Sequence, residues 1–462
     1  MRDRDCEKQI KALESQEREP AGVPDEILQR VFDDCCNMNH FVVDNPSRTA
    51  GSYQTDTCTG SQYCLFTVAE DGLAMPSIWS NISLLCVGQA VEEDYEDLDS
   101  DGILSTMDIF LNRGLQHPMT VIIELTDDFD NHYPALTLLI PHMHRWRSFT
   151  DRSRFYQKDY FLHTLTSPNF PLLEELEIAD ANEGDLDIFS SAPKLKKLSL
   201  DIIPSGSLEL SVFSRLTHLE LYCPRVYQIR ELTDNSHLVT LKTDTDESYD
   251  SDFELEEVPP PTPCRTIETL ILCYDPGSFS RSILLYLTLP SLKTMRLERG
   301  YRERRNEKIE PYMRESDWYN FDPFMAFLSR SSCTLTTFVD DSYVAPQCSP
   351  ITGRFIESLQ VRDDTRPIVP RLHSLKLNVG ARSFGDGSVV DMVRSRWIPC
   401  KLLACASREL EPRVDCLREV TIRFRNREET KGAYESLEEI ERDGMRAVVL
   451  WKNEGSGSEL EE

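Results

Sequence analysis

Between residues 173 and 297 the sequence repeats one pattern of apolar positions, L-x-x-L-x-L, and this repeat restricts the fold more than any other feature. It stands at Leu173-x-x-Leu176-x-Ile178, Leu195-x-x-Leu198-x-Leu200, Leu216-x-x-Leu219-x-Leu221 and Leu238-x-x-Leu241-x-Thr243, in steps of 22, 21 and 22 residues. Ile267-x-x-Leu270-x-Leu272 and Leu292-x-x-Met295-x-Leu297 follow after 29 and 25 residues. Leu335-x-x-Phe338, Leu372-x-x-Leu375-x-Leu377 and Leu417-x-x-Val420-x-Ile422 continue it at wider spacing. In a strand, successive side chains point to opposite faces, so each x-L-x-L-x segment sends its leucines to one side. A single segment cannot bury that side alone. Copies must stack as parallel strands, with a helix or irregular turn carrying the chain back between them.

The period falls in the 20–29-residue range of leucine-rich repeats. Prolines precede several copies, in Phe170-Pro171-Leu172, Ala192-Pro193-Lys194, Leu289-Pro290-Ser291 and Val369-Pro370-Arg371, where they end the returning segment and feed the next strand. Alternation then predicts a concave, outward face carrying Glu177, Lys197, Ser199, His218, Glu220, Tyr222, Lys242, Arg296 and Lys376. A sheet surface of mixed charge suits recognition of another protein, and these nine residues are the candidate target-binding set.

Charge excludes another class of partner. Lys+Arg number 50 against Asp+Glu 79, a formal net charge of -29, whereas nucleic-acid affinity rests on clustered cations. Residues 92–101 carry 7 acids, 244–257 carry 8 and 453–462 carry 4, with no Lys or Arg in any of the three. Much of the acidity is therefore assigned to linkers and a tail. The run at 244–257 continues into Val258-Pro259-Pro260-Pro261, and 244–263 is expected to be a disordered loop that lengthens one repeat step.

The N-terminal third has a different character. Val23-Pro24-Asp25-Glu26-Ile27-Leu28-Gln29-Arg30-Val31-Phe32 predicts an amphipathic helix, with Pro24 in the first turn and Ile27, Leu28, Val31 and Phe32 on one face. Residues 37–61 are polar and turn-rich and are expected to be a loop. Met119–Leu125 is β-branched and predicts a strand; 136–149 is a second apolar run, interrupted by Pro141. The 14 cysteines contain no CxxC pair, and His142 and His144, placed on one side of a strand-like run, lack partners at zinc spacing. No metal, cofactor or catalytic residue is assigned, and no nucleotide-binding or hydrolase signature is present. No stretch approaches the ~18 apolar residues of a membrane span. An intracellular protein, in cytoplasm or nucleus, is expected, with no membrane partner.

Taken in order, several of these motifs resemble one family. Val-Pro-Asp-Glu-Ile-Leu-x-x-Val-Phe at 23–32 looks like the opening helix of an F-box-like domain, and Met75-Pro76-Ser77-Ile78-Trp79 is similar to its closing T-P-x-L-W. Phe110-Leu111-Asn112-Arg113-Gly114 with His117-Pro118-Met119, then Pro141-His142-Met143-His144-Arg145-Trp146, resemble stretches that follow that domain. Phe327–Cys333 and Met392–Trp397 match too, so the chain resembles the F-box-like, leucine-rich-repeat proteins of mushroom-forming fungi over about 23–425. One departure is plain: where the family has V-C-x-x-W-R-x-I-A, this chain has Cys64–Leu73, with Val68 at the tryptophan position.

The resemblance implies an α/β chain in which a small N-terminal helical F-box-like module precedes a leucine-rich-repeat solenoid. It implies a non-catalytic substrate-recognition subunit of an SCF-type, cullin-RING ubiquitin ligase. Pro24, Ile27, Leu28, Val31, Phe32 and Trp79 would contact the Skp-type adaptor or support that contact, and the repeats would hold an unidentified target protein. Arg145-Trp146-Arg147 would close the first repeat with cation–π packing. The alternative is a repeat-only binding scaffold with a degenerate F-box. The expected boundaries are a leading helix at 1–20, the F-box-like module at 21–86, an acidic linker at 87–102 and a cap at 103–164. The repeats occupy 165–425, and a helix, strand and acidic tail occupy 426–462.

Overall fold

The computed structural model describes residues 39–44, 76–87, 100–125, 134–153, 168–179, 181–201, 203–204, 211–222, 237–244, 261–274, 283–299, 322–341, 351–362, 368–379, 384–397, 414–425 and 430–452. The chain is α/β and divides into two compact units, one essentially residues 1–174 and the other essentially 175–462. Among the described residues, no helix is long and apolar enough to cross a membrane.

The first unit is a parallel sheet with helices between its strands. Its elements are β1 (Asn39–Asp44), β2 (Asn81–Val87), α1 (Ser100–Arg113), β3 (Met119–Leu125), α2 (Pro134–Leu139) and β4 (Trp146–Asp151). The strands pair in chain order, with Phe41 opposite Leu84, Leu84 opposite Ile123 and Ile123 opposite Asp151. Ile82, Leu84, Cys86, Val121 and Ile123 turn inward, where Met107, Phe110 and Leu111 of α1 are also buried. Phe110 meets Trp79 and Phe41 edge-on, with ring centroids 4.7 and 5.3 Å away.

Two expectations for this region are corrected. Residues 39–44 lie in the stretch assigned to a polar loop, yet they form β1, because Phe41-Val42-Val43 is aromatic and β-branched inside its polar surroundings. The span assigned to a helical module, 21–86, contains β1 and most of β2 among its described residues. Asn39 ties them together, its side-chain amide donating to the carbonyls of Ile78 (2.7 Å) and Asn81 (2.8 Å). The strand expected at 119–125 is β3. The run at 136–149 divides into α2, a 3-10 turn at Ile140–Arg145 and β4, so His142 and His144 sit on a helical turn and not on a strand.

The second unit holds β5 (Glu175–Ile178), α3 (Glu183–Ile188), β6 (Lys197–Leu200), β7 (His218–Leu221), β8 (Thr240–Asp244), β9 (Thr262–Pro263), β10 (Thr269–Tyr274), β11 (Leu287–Thr288), β12 (Thr294–Arg299), α4 (Asp322–Ser331), β13 (Thr337–Asp340), α5 (Gly353–Leu359), β14 (Ser374–Val379), α6 (Asp386–Arg396), β15 (Glu419–Arg425), α7 (Lys431–Arg442) and β16 (Arg446–Lys452). All the strands except β9 and β11, which pair with each other, form one parallel sheet in chain order. Copies of the sequence pattern coincide with strands: Leu198, Leu219, Leu241, Leu270, Met295, Phe338, Leu375 and Val420 occupy one line across the sheet and are all buried. Each such side chain removed from water stabilises the fold by about 1.5–3 kcal/mol. Phe170-Pro171-Leu172-Leu173 and Leu289-Pro290-Ser291-Leu292 are tight turns closed by i+3 hydrogen bonds, with proline preset at the second position.

Arginines that reach inward, two of them buried, fasten the connections. Arg145, 1% exposed, donates from Nε to the His117 carbonyl (3.1 Å) and from Nη1 to that of Leu111 (3.0 Å). Arg330 reaches the Leu284 and Leu287 carbonyls at 2.6 and 2.9 Å, and Arg396 those of Leu359 and Val369. Ser331 and Ser395 add hydroxyls that accept from the Leu289 and Val361 amides at 3.1 and 3.0 Å. The arginine–serine motifs in 327–333 and 392–397 thus tie returning segments to the turns they follow, satisfying backbone groups that burial would otherwise leave unpaired.

Candidate functional site

On the open face of the second unit's sheet, side chains that alternate with the buried leucines line up in register. Glu177 lies opposite Ser199, Ser199 opposite Glu220 and Glu220 opposite Lys242; Ile271, Arg296, Val339, Lys376 and Thr421 continue the row. Six of the nine predicted target-binding residues therefore share one line. Lys197 and His218 occupy the adjacent line, and Tyr222 follows the end of β7, its phenol 3.4 Å from the Ser199 hydroxyl. Ser199 is buried, while Lys197 and His218 are exposed.

Glu220, Lys242, Arg296 and Lys376 of this row join two carboxylates beside it, Glu298 and Asp341, in an ion-pair chain of alternating sign. Glu220 Oε1 is 2.6 Å from Lys242 Nζ, which is 3.6 Å from Glu298 Oε2. Glu298 Oε1 is 3.5 Å from Arg296 Nη2, Arg296 is 3.0 Å from Asp341 Oδ2, and Asp341 Oδ1 is 2.9 Å from Lys376 Nζ. The chain crosses β10, which supplies only the uncharged Ile271 at this level, because the four-carbon stem of Lys242 reaches past it to β12. Cys273 on β10 approaches Glu298 at 4.0 Å.

Titration follows this geometry. For Lys242 burial works to lower the pKa, but the hydrogen bond and charge of Glu220, with the charge of Glu298, hold it above the ordinary lysine value. For Asp341 burial works to raise the pKa, and hydrogen bonds and charges from Lys376 and Arg296 hold it below the ordinary carboxylate value. Each cation of the chain is matched by a carboxylate. That arrangement offers a patterned surface to a protein, and it leaves none of these cations unpaired for a phosphate.

Glu298 and Asp341 are the members of the chain that sequence reasoning missed. Glu298 is two residues after Arg296 and was legible by simple alternation. Asp341 follows a pattern copy, Leu335-x-x-Phe338, that lacks its third apolar position, so nothing marked its face.

Of the six residues assigned to adaptor contact, Pro24, Ile27, Leu28, Val31 and Phe32 lie outside the described residues. Trp79 is buried against Phe110, with the Arg113 guanidinium 5.0 Å from its ring centroid. The cation–π pairing expected at Arg145-Trp146-Arg147 takes another form: Trp146 stacks on Phe149 at 4.8 Å, Arg145 turns to carbonyls, and Arg147 pairs with Glu174 at 3.0 Å. His142 accepts from Arg145 Nη1 at 3.2 Å, and burial followed by the charges of Arg145 and His144 lowers its pKa. Compared with known proteins, the chain matches no family model and no curated protein.

Proposed function

We propose that the chain is the non-catalytic target-recognition subunit of an SCF-type, cullin-RING ubiquitin ligase. Residues 23–35 dock on a Skp-type adaptor, and the open, concave face of a leucine-rich-repeat solenoid holds the target protein. The reading is supported by the ordered resemblance of 23–32, 75–79, 110–119 and 141–146 to that family. The observation that carries the recognition half is the ion-pair chain from Glu220 to Lys376, which presents alternating charge across strands in register. A partner with the complementary alternation is favoured, and one of uniform charge meets like charges at every second step. Co-purification with the adaptor tests the assignment. Wild-type chain should retain it, the Ile27→Lys/Leu28→Lys double variant should lose it, and no adaptor with the wild type would sink the reading.

A second reading, a repeat-only scaffold with no ligase role, is favoured by one observation. Strands β1 and β2, within the span assigned to the F-box-like module, pair in a parallel sheet with β3. It predicts partners for 165–425 and no ligase component in any preparation.

A further inference from the structure

We propose that β16 is a docking strand to which a partner protein adds an extended segment, apolar in its middle and acidic at its ends. In the second unit's sheet, β16 is terminal and pairs only with β15 among the described residues. The Arg446 amide donates to the Arg418 carbonyl at 2.9 Å, so by strand alternation the backbone groups of residues 446, 448, 450 and 452 face β15. Those of Ala447, Val449 and Trp451 face away from it. A parallel edge with amides and carbonyls open in this way is a template for one more strand.

The side chains fit that use. Ala-Val-Val-Leu-Trp at 447–451 is a continuous apolar run in a seven-residue strand, and Leu450 is 44% exposed. No proline, bulge or inward charge blunts the run, although these are the usual protections of an edge. The helix α7 behind it carries Glu435, Glu438, Glu439 and Glu441, but the unpaired charge that β15 and the strand ends supply is positive. Arg446 and Lys452 bound the strand; exposed Arg418 and Arg423 flank it and have no ion-pair partner among the described residues, whereas Glu419 is already paired with Arg446 at 3.2 Å. Arg423 stands in register with Leu450.

The same charges argue against a second copy of this chain as occupant. Antiparallel self-pairing centred on Val449 sets Arg446 opposite Lys452 at both ends, and like charges directly opposite destabilise a strand pair. Residues 453–462 are equally unsuited, since Asn-Glu-Gly-Ser-Gly-Ser-Glu-Leu-Glu-Glu offers one apolar residue to an apolar strand.

The test uses the full chain and a fluorescent peptide of alternating valine and threonine with an aspartate at each end, against the same peptide ended by lysines. Anisotropy should show the aspartate-ended peptide binding about threefold tighter or more. Val449→Pro removes an outward amide that makes no bond to β15, at a place where an edge strand accepts proline, and should abolish binding while the chain still melts cooperatively. Arg423→Glu, an exposed change on the neighbouring strand, should narrow the preference. Equal binding of both peptides, undiminished binding by Val449→Pro, an unchanged preference in Arg423→Glu, or a wild-type dimer that Val449→Pro dissolves would each overturn the proposal.

Discussion

Asp341, the residue after β13, and Lys376 on β14, with 2.9 Å between Oδ1 and Nζ, close the ion-pair chain that begins at Glu220. Asp341 is shared, since its other oxygen takes Arg296 at 3.0 Å. Its folded pKa is depressed, so its contribution to stability is present above the ordinary carboxylate value and is lost as pH falls through the lower folded value. Asp341→Asn should cost about 0.5–1.5 kcal/mol at pH 7, a figure kept small by partial exposure. Urea melts at pH 7 and pH 3 check this. The deficit should shrink at the acid end, and a deficit equal at both pH values would remove the ionic role.

Lys242 carries the opposite sign. Its folded pKa is raised, so its stabilisation is complete below the ordinary lysine value and disappears as pH climbs through the higher folded value. Lys242→Met strands Glu220 and Glu298 with less neutralisation and should cost about 1–2 kcal/mol at neutral pH. Double-mutant cycles with Glu220→Gln should return a coupling of about 0.5 kcal/mol or more.

Strand β10 separates the buried face from the open one within two consecutive residues. Leu270 is fully buried and Ile271 faces out between Lys242 and Arg296. Leu270→Ala should destabilise by about 2–5 kcal/mol through lost burial and the cavity left behind. Ile271→Ala should fall within about 1 kcal/mol. Comparable losses at the two positions in denaturant titrations would contradict the alternation on which the open face rests.

Arg396 tests the carbonyl staples. It is fully buried, burial lowers its pKa to about 10, and its nearest polar partners are the Leu359 and Val369 carbonyls. Arg396→Ala leaves both carbonyls unpaired and a void, and should cost about 3 kcal/mol or more. Arg330→Ala, at a part-buried site, should cost less. The comparison is read from urea midpoints of the two variants.

Sequence periodicity revealed the second unit because its unit of stability is local. Leu219 and Leu221 must both reach the core from one short strand, and nothing outside the pattern competes with that demand. The first unit hid β1 for the opposite reason. β1 is brief and set in polar sequence, so Phe41 and Val42 stand out only once Leu84 and Leu85 are opposite them. The arginine motifs were visible as resemblance, but their role was not, because the carbonyls they hold are 27 to 46 residues away in the chain. The face of the sheet was legible as far as alternation ran. Asp341 was not, since it follows the end of β13 and its partner Arg296 lies 45 residues earlier in the chain.

The most direct measurement is calorimetric titration of the purified full-length chain with a purified Skp-type adaptor. The proposed function predicts a one-to-one complex that Ile27→Lys/Leu28→Lys abolishes and that Lys242→Met leaves intact. No heat of binding from the wild-type chain, in a preparation whose melting is cooperative, would contradict it.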